Sequence, residues 1–133
     1  MKNTFVCLGL LMSLSAPALA ANYKLTCDDG NIFEAPLYIE INGYNASASG
    51  SFSGPGSAIF TAEYKDLRVL NVVEKDGKLQ SLTVTEPHVA RQPGGFQLSL
   101  VANSKGVLKG KLSMTSTDED KMPYNGKVNC SVK

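Results

Sequence analysis

Apolar and polar residues alternate along most of the chain with a period of two. Residues 44–53 show the pattern most clearly, since Tyr, Ala, Ala, Gly and Phe occupy the even positions and Asn or Ser every odd one. This alternation is typical of strands with one buried face, and no helical period continues for more than a turn or two. The pattern predicts up to nine strands, at residues 23–28, 32–41, 44–53, 58–64, 67–75, 78–86, 96–102, 108–115 and 127–133.

Turn motifs separate these strands, at residues 28–31, 42–43, 54–56, 76–77 and 103–106. Asn42-Gly43 and Asp76-Gly77 favour tight hairpins, which make the strands on either side antiparallel. The alternation is poorer at residues 67–86, where Leu79 is out of phase with Leu82 and Val84. This indicates either a bulge near Ser81 or a strand that is buried on both faces.

The first 20 residues have the pattern of an export signal. Lys2 precedes an apolar run from Phe5 to Leu14, and Ala18-Leu19-Ala20 has the small residues found at signal cleavage sites. The run is about ten residues long, whereas a helix needs roughly twenty to span a bilayer. We therefore expect cleavage near Ala20, no membrane span, and a single domain at residues 21–133 in the periplasm or outside the cell.

Cleavage removes Cys7 and leaves Cys27 and Cys130, one near each end of the mature domain. Disulfides persist in oxidising compartments, whereas metal and redox sites usually hold cysteines that are close in sequence. Both cysteines lie on the apolar face of their predicted strands, in phase with Leu25 and Val128. We expect one structural disulfide, Cys27–Cys130, that joins the first strand to the last.

An antiparallel sheet whose first and last strands are joined closes most simply into a barrel, because closure removes both exposed edges. The sequence therefore predicts an all-β fold, a small antiparallel up-and-down β-barrel of eight or nine strands stapled by one disulfide. A two-sheet β-sandwich is the alternative.

Small residues are concentrated on the apolar face of two neighbouring predicted strands, at Ala46, Ala48, Gly50, Ala58 and Ala62. Small inward residues either make room for large ones on the opposite wall or leave a cavity. A filled core is the preferred interpretation, because protein interiors are normally close-packed. A hollow barrel would instead carry a small apolar ligand.

The mature domain is electrically neutral. All 12 acidic residues follow residue 20, and the loss of Lys2 leaves 12 of the 13 bases. Net charge therefore gives no attraction for nucleic acid or for an anionic membrane surface. Lys105, Lys109 and Lys111 form a short basic strip without an adjoining aromatic residue, which we interpret as protection of a sheet edge against aggregation.

No catalytic motif is recognisable. His88 is the single histidine, and we interpret it as a solvated loop residue, because the strained serine turn of a catalytic triad is missing. Two acidic clusters, Asp28-Asp29 and Asp118–Asp120, lie in predicted turns and match no calcium-loop spacing. We expect a non-enzymatic protein with no catalytic residues, metal or cofactor.

Two connections, Pro87–Gly95 and Thr117–Gly126, are longer than the others. Long loops on a rigid scaffold are frequent sites of binding.

The segment Tyr23–Phe33 resembles the start of bacterial membrane-bound or periplasmic lysozyme inhibitors. The resemblance implies a small disulfide-stapled β-barrel that inserts a loop into the lysozyme cleft. It is confined to this segment, and the rest of the chain departs from that family's pattern.

Two functional hypotheses follow. The first is a non-enzymatic exported binding protein that carries a small apolar or amphipathic ligand inside the barrel. The second is a protein-interaction module, such as an inhibitor of a secreted hydrolase (a lysozyme or a protease), that acts through its loops or its serine-lined face. The partner is then a secreted or periplasmic protein.

Overall fold

The structure, a computed structural model, describes residues 22–30, 33–87 and 95–133. Within these residues eight antiparallel strands are each hydrogen-bonded to the next, and the last pairs with the first. They are β1 (Asn22–Asp28), β2 (Phe33–Asn42), β3 (Asn45–Ser53), β4 (Ile59–Lys75), β5 (Lys78–Thr85), β6 (Gln97–Ala102), β7 (Leu108–Thr115) and β8 (Pro123–Val132). The predicted closed up-and-down barrel is confirmed, and the sandwich alternative is wrong.

The expected export signal at residues 1–20 lies outside the described residues. In the part of the chain that is described, no helix is long and apolar enough to cross a membrane.

One boundary predicted between two strands is absent from the structure. The two strands expected at 58–64 and 67–75 are the single strand β4, with a bulge at Lys65–Asp66 where its pairing with β3 shifts. The bulge takes up two polar residues, so that Tyr64 before it and Leu67 after it both face inward. This continuity reduces nine predicted strands to eight.

The two halves of β4 pair with different strands. Residues 59–68 pair with β3, whereas residues 68–75 pair with β5. The edge of β4 between Ile59 and Leu67 therefore has no partner in β5.

Of the two explanations for the position of Leu79, the bulge near Ser81 is confirmed. The pairing of β5 with β4 is irregular on both sides of the Val73–Ser81 pair. The bulge adds one unpaired residue to β5 between Leu79 and Ser81. Leu79 therefore faces the same side as Leu82 and Val84, and all three are buried.

The hairpin turns agree with the sequence at one site and differ at another. Asp76 and Gly77 form the predicted turn, with φ angles of 54° and 76°. The other turn lies one residue later than predicted, because Asn42 pairs with Asn45 and leaves Gly43 and Tyr44 between them. Tyr44 is consequently 53% exposed in a turn and is not part of the inward face of β3.

Cys27 and Cys130 are directly opposed on β1 and β8, with their Cα atoms 4.0 Å apart, and they form the predicted disulfide. Their exposed fractions are 0% and 2%. The bond therefore lies inside the core and joins the two strands that close the barrel.

The inward-facing residues form one connected core. Three of the predicted small inward residues, Ala46, Ala48 and Ala62, are at most 3% exposed, whereas Ala58 precedes β4 and is exposed. A methyl group added to Gly50 would lie 2.9 Å from Leu37 Cδ1, so large side chains occupy the space next to the small ones. This packing favours the filled-core interpretation.

Candidate binding surfaces

The topology places both long loops at the same end of the barrel. In an up-and-down barrel alternate connections lie at opposite ends, so the β1–β2, β3–β4, β5–β6 and β7–β8 connections share one end, here called the long-loop end. The opposite end, the hairpin end, carries the tight turns. Of the β5–β6 connection, residues 88–94, which include His88, lie outside the described residues.

Aromatic rings pack together in the core at the long-loop end. The ring of Phe52 lies 5.9 Å from that of Phe60 and 5.6 Å from that of Tyr124, centroid to centroid. Tyr64 and Phe96 form a further pair at 5.3 Å. Such tilted ring pairs are favourable contacts, and they pack the core beneath the loops.

The β7–β8 loop spans Ser116–Met122, which is shorter than the predicted loop because Pro123–Gly126 belong to β8. Two hydrogen bonds close its neck. The amide N–H of Ser116 donates to the Met122 carbonyl at 2.7 Å, and the amide N–H of Met122 donates to Ser116 Oγ at 2.9 Å. Ser116 is 1% exposed, so this neck is part of the folded body.

The same loop is attached to the edge of β4 that β5 leaves unpaired. The Thr117 amide donates to the Thr61 carbonyl at 2.8 Å, and the Thr61 amide donates to Asp118 Oδ2 at 2.7 Å. The Glu63 amide donates to Thr117 Oγ1 at 3.1 Å. These groups satisfy backbone donors and acceptors that would otherwise form an open sheet edge.

The tip of the β7–β8 loop projects from this fixed base. Glu119, Asp120 and Lys121 are exposed, and the Lys121 amide donates to the Asp118 carbonyl at 3.2 Å. Glu119 and Asp120 are exposed, as expected for acidic residues in a turn, whereas the Asp118 carboxylate accepts the hydrogen bond from Thr61. A tip ordered before binding loses little conformational entropy when it meets a partner.

The long-loop end carries a concentration of negative charge. Six of the 12 acidic residues lie in its connections or at the ends of its strands, namely Asp28, Asp29, Glu86, Asp118, Glu119 and Asp120. Asp29 accepts a hydrogen bond from the Tyr124 hydroxyl at 2.8 Å, and burial followed by this bond raises the pKa of Tyr124. Among the described residues no group of three or more His, Cys, Asp or Glu side chains is arranged to hold a metal ion.

Tyr23 and Glu74 are hydrogen-bonded at the hairpin end, although their strands β1 and β4 are not neighbours in the barrel. The bond therefore crosses the mouth of the barrel. Burial, and then the hydrogen bond and the negative charge of Glu74, raise the pKa of Tyr23 from its ordinary value of 10.0 to about 12. The fold thus favours the neutral phenol.

The Tyr23–Glu74 bond predicts a loss of stability in alkaline solution. Because the folded-state pKa is raised, the contribution is fully present below pH 10.0 and disappears as the pH rises through about 12. Tyr23→Phe should lower the free energy of unfolding by about 1 kcal/mol at pH 7 and flatten this alkaline decline. Urea unfolding between pH 7 and pH 12 tests this, with Tyr44→Phe in the exposed turn as the control. An unchanged alkaline decline in Tyr23→Phe would contradict the assignment.

A second surface is the serine face, formed by the outward Ser47, Ser49, Ser51 and Ser53 of β3. A groove beside it is lined by residues from β1, β2 and β3 and by the C-terminal Lys133. Lys133 Nζ lies 5.7 Å from the centre of the Tyr38 ring, and Glu40 lies in the same groove. Basic, acidic and hydroxyl groups are mixed here, so this face selects no single class of charged partner.

No protein family, no curated protein and no solved structure matches this chain.

Proposed function

We propose that the protein is a non-enzymatic exported binding protein that recognises another exported protein through its long-loop end. The observation that carries this proposal is the β7–β8 loop, whose base is hydrogen-bonded to Thr61 and Glu63 while its acidic tip is exposed. A rigid scaffold that presents an ordered, projecting loop is the arrangement used by many protein inhibitors.

The charge of the long-loop end indicates the chemistry of the partner. Glu119 and Asp120 at the exposed tip, together with the other acids of this end, complement a basic surface. Complementary charge increases the association rate and suppresses wrong partners. The partner class that fits best is a secreted hydrolase, a lysozyme or a protease, with basic residues around its active-site cleft.

The interior gives less support to a ligand carrier. Ala46, Ala48 and Ala62 are at most 3% exposed, and Leu37 fills the space beside Gly50. A ligand in the barrel would have to displace side chains that already pack together. The carrier hypothesis is therefore the second candidate, and its support is the concentration of small inward residues on β3 and β4.

An exported location is part of the proposal. The buried Cys27–Cys130 bond is of the kind that persists in oxidising compartments, and residues 1–20 have the pattern of an export signal.

The two candidate functions are separated by two variants of residues 21–133. Glu119→Lys/Asp120→Lys reverses the charge of the loop tip and should weaken binding to a basic secreted hydrolase by tenfold or more, because electrostatic complementarity becomes repulsion. Ala48→Leu overfills the core and should cost roughly 1–3 kcal/mol of stability while leaving that binding intact. Titration calorimetry against a purified lysozyme and a purified secreted protease measures the first effect, and urea unfolding the second.

Native mass spectrometry of the protein purified from its own extracytoplasmic fraction tests the carrier hypothesis. A bound species of small-molecule mass that is retained by the loop variant and lost from Ala48→Leu would identify a carrier. Equal affinity of the wild type and the loop variant for every hydrolase tested would remove the support for the loop site.

A further inference from the structure

The positive and negative charges of the mature domain add to zero, but the fold distributes them unevenly among the strands. Strands β5 to β8 contain no Asp or Glu at any position, whereas β2 and β4 carry five of the acidic residues. The same four strands contain Lys78, Lys109, Lys111 and Lys127. Neutral net charge therefore conceals a basic side of the barrel.

Three of these lysines are gathered by the register of β7 and β8. Lys109 and Lys111 alternate with inward residues on β7, and Lys111 is directly opposite Lys127 on β8. All three are exposed. Like charges that face each other across two strands are destabilising, so this pair costs stability in the isolated protein. Lys109, Lys111 and Lys127 are called the lysine face below.

Edge protection does not explain the lysine face. Lysines guard a sheet edge by keeping other strands away from unpaired backbone groups. In this closed barrel β7 pairs with β6 on one side and β8 on the other, so it has no edge to guard. The interpretation reached from the sequence for Lys109 and Lys111 is therefore wrong.

Apolar residues project beside the lysines. Val101 on β6 is directly opposite Lys109 and is 63% exposed. Val107 is 39% exposed in the connection between β6 and β7, which also carries the exposed Lys105. The β6–β7 hairpin thus combines exposed valines with lysines.

A groove runs along the same side of the sheet. Lys109 and Lys111 line it together with Gln97, Ser99 and Val101. Its polar groups are ammonium, hydroxyl and amide groups, all of which can donate hydrogen bonds, and none of its lining residues is acidic. Such a groove suits an anionic group.

We propose that the lysine face and the β6–β7 hairpin dock the protein on an anionic phospholipid surface. Phosphate headgroups complement Lys109, Lys111 and Lys127, and they relieve the repulsion between the opposed pair. The interfacial region of a bilayer also accepts the exposed Val101 and Val107, which a soluble anion in water would leave exposed. This surface is on the side of the barrel, so docking is separate from the loop site.

The test is sedimentation of the mature protein with vesicles. Vesicles of phosphatidylcholine and phosphatidylglycerol at a 3:1 ratio should retain the protein at about 0.1 M salt, where the screening length is about 10 Å, and pure phosphatidylcholine vesicles should not. Each lysine near an anionic surface contributes about 1 kcal/mol, or roughly fivefold in partitioning. Lys111→Gln/Lys127→Gln should therefore lower partitioning by about 25-fold. Its melting temperature should be equal to or above that of the wild type, because the opposed pair is removed.

A matched variant removes the same charge elsewhere. Lys24→Gln/Lys65→Gln changes exposed lysines of β1 and β4, outside the lysine face, and should change partitioning by no more than about twofold. Val101→Ser should weaken vesicle binding without changing its dependence on salt. The proposal is overturned by equal losses in the two double-lysine variants, or by equal binding to both kinds of vesicle. Binding to poly-glutamate without binding to the vesicles would overturn it in favour of an acidic protein partner.

Discussion

Reduction of the Cys27–Cys130 disulfide is expected to lower the free energy of unfolding by roughly 3–5 kcal/mol. The two residues are separated by 103 positions, so the bond constrains most of residues 21–133 in the unfolded state. The chain-entropy relation gives about 4.7 kcal/mol for a loop of about a hundred residues. Because small domains are only about 5–15 kcal/mol more stable than their unfolded chains, this is a large share of the total.

The position of the bond makes its loss more damaging. The ladder between β1 and β8 runs from the Leu25–Val132 pair to the Asp28–Asn129 pair, with one further bond from the Lys133 amide to the Lys24 carbonyl, and the disulfide lies within it. Opening this ladder exposes two unpaired strand edges, which are templates for aggregation. Urea unfolding with and without reductant measures the effect, and Cys27→Ala/Cys130→Ala should reproduce it and respond no further to reductant. A midpoint that reductant does not shift would show that the bond contributes little.

Short-range alternation predicts most of the barrel because it records which side of each strand is buried. Two cysteines remain after the expected cleavage, and they share the phase of Leu25 and Val128. Together these observations predict the bond that closes the sheet. Alternation cannot distinguish a turn from a bulge, since both place polar residues together. Lys65–Asp66 therefore predicts two strands where β4 continues as one.

The candidate sites depend on contacts that no local pattern records. Thr117 and Asp118 bond to Thr61 and Glu63 across more than 50 residues of sequence, which requires that β4 extend beyond the end of β5. The turn composition of the β7–β8 loop predicts a solvated loop, and only the unpaired edge of β4 explains why its base is fixed. The hydrogen bond between Tyr23 and Glu74 crosses the mouth of the barrel, and no pattern in the sequence predicts it.

The lysine face illustrates a different limit. Lys109 and Lys111 were recognisable as a basic strip, but Lys127 is close to them only through the register of β7 and β8. Whether a strand has an edge is a property of the whole sheet. The barrel predicted from the sequence leaves β7 without an edge, and only the sandwich alternative would have left edges for lysines to protect. Net charge does not reveal the lysine face either, because it adds the charges without regard to their positions.

Gly110→Ala is expected to be among the most destabilising single substitutions in this fold. Gly110 faces inward on β7, and an added Cβ would lie 1.7 Å from the carbonyl oxygen of Ser99 and 3.0 Å from the Cα of Leu100. Both clashing atoms belong to the backbone of β6, so no side-chain rotation relieves the overlap. Ser99 cannot withdraw easily, because β6 is hydrogen-bonded between β5 and β7.

The expected cost of Gly110→Ala is about 3 kcal/mol or more, at or above the upper end of the roughly 1–3 kcal/mol typical of overpacked cores, because the clash is with backbone atoms. Gly126→Ala on the neighbouring β8 is the matched control, since its added Cβ would meet the Tyr124 hydroxyl at 2.8 Å, at the far end of a side chain. Moving that hydroxyl strains its bond to Asp29 but leaves the backbone in place, and the reduced freedom of the unfolded chain offsets part of the strain, so the cost should stay below about 1.5 kcal/mol. Urea unfolding of the two variants compares these values directly. Equal midpoints would mean that β6 and β7 separate at Gly110 without difficulty, which would contradict the backbone clash as the source of the cost.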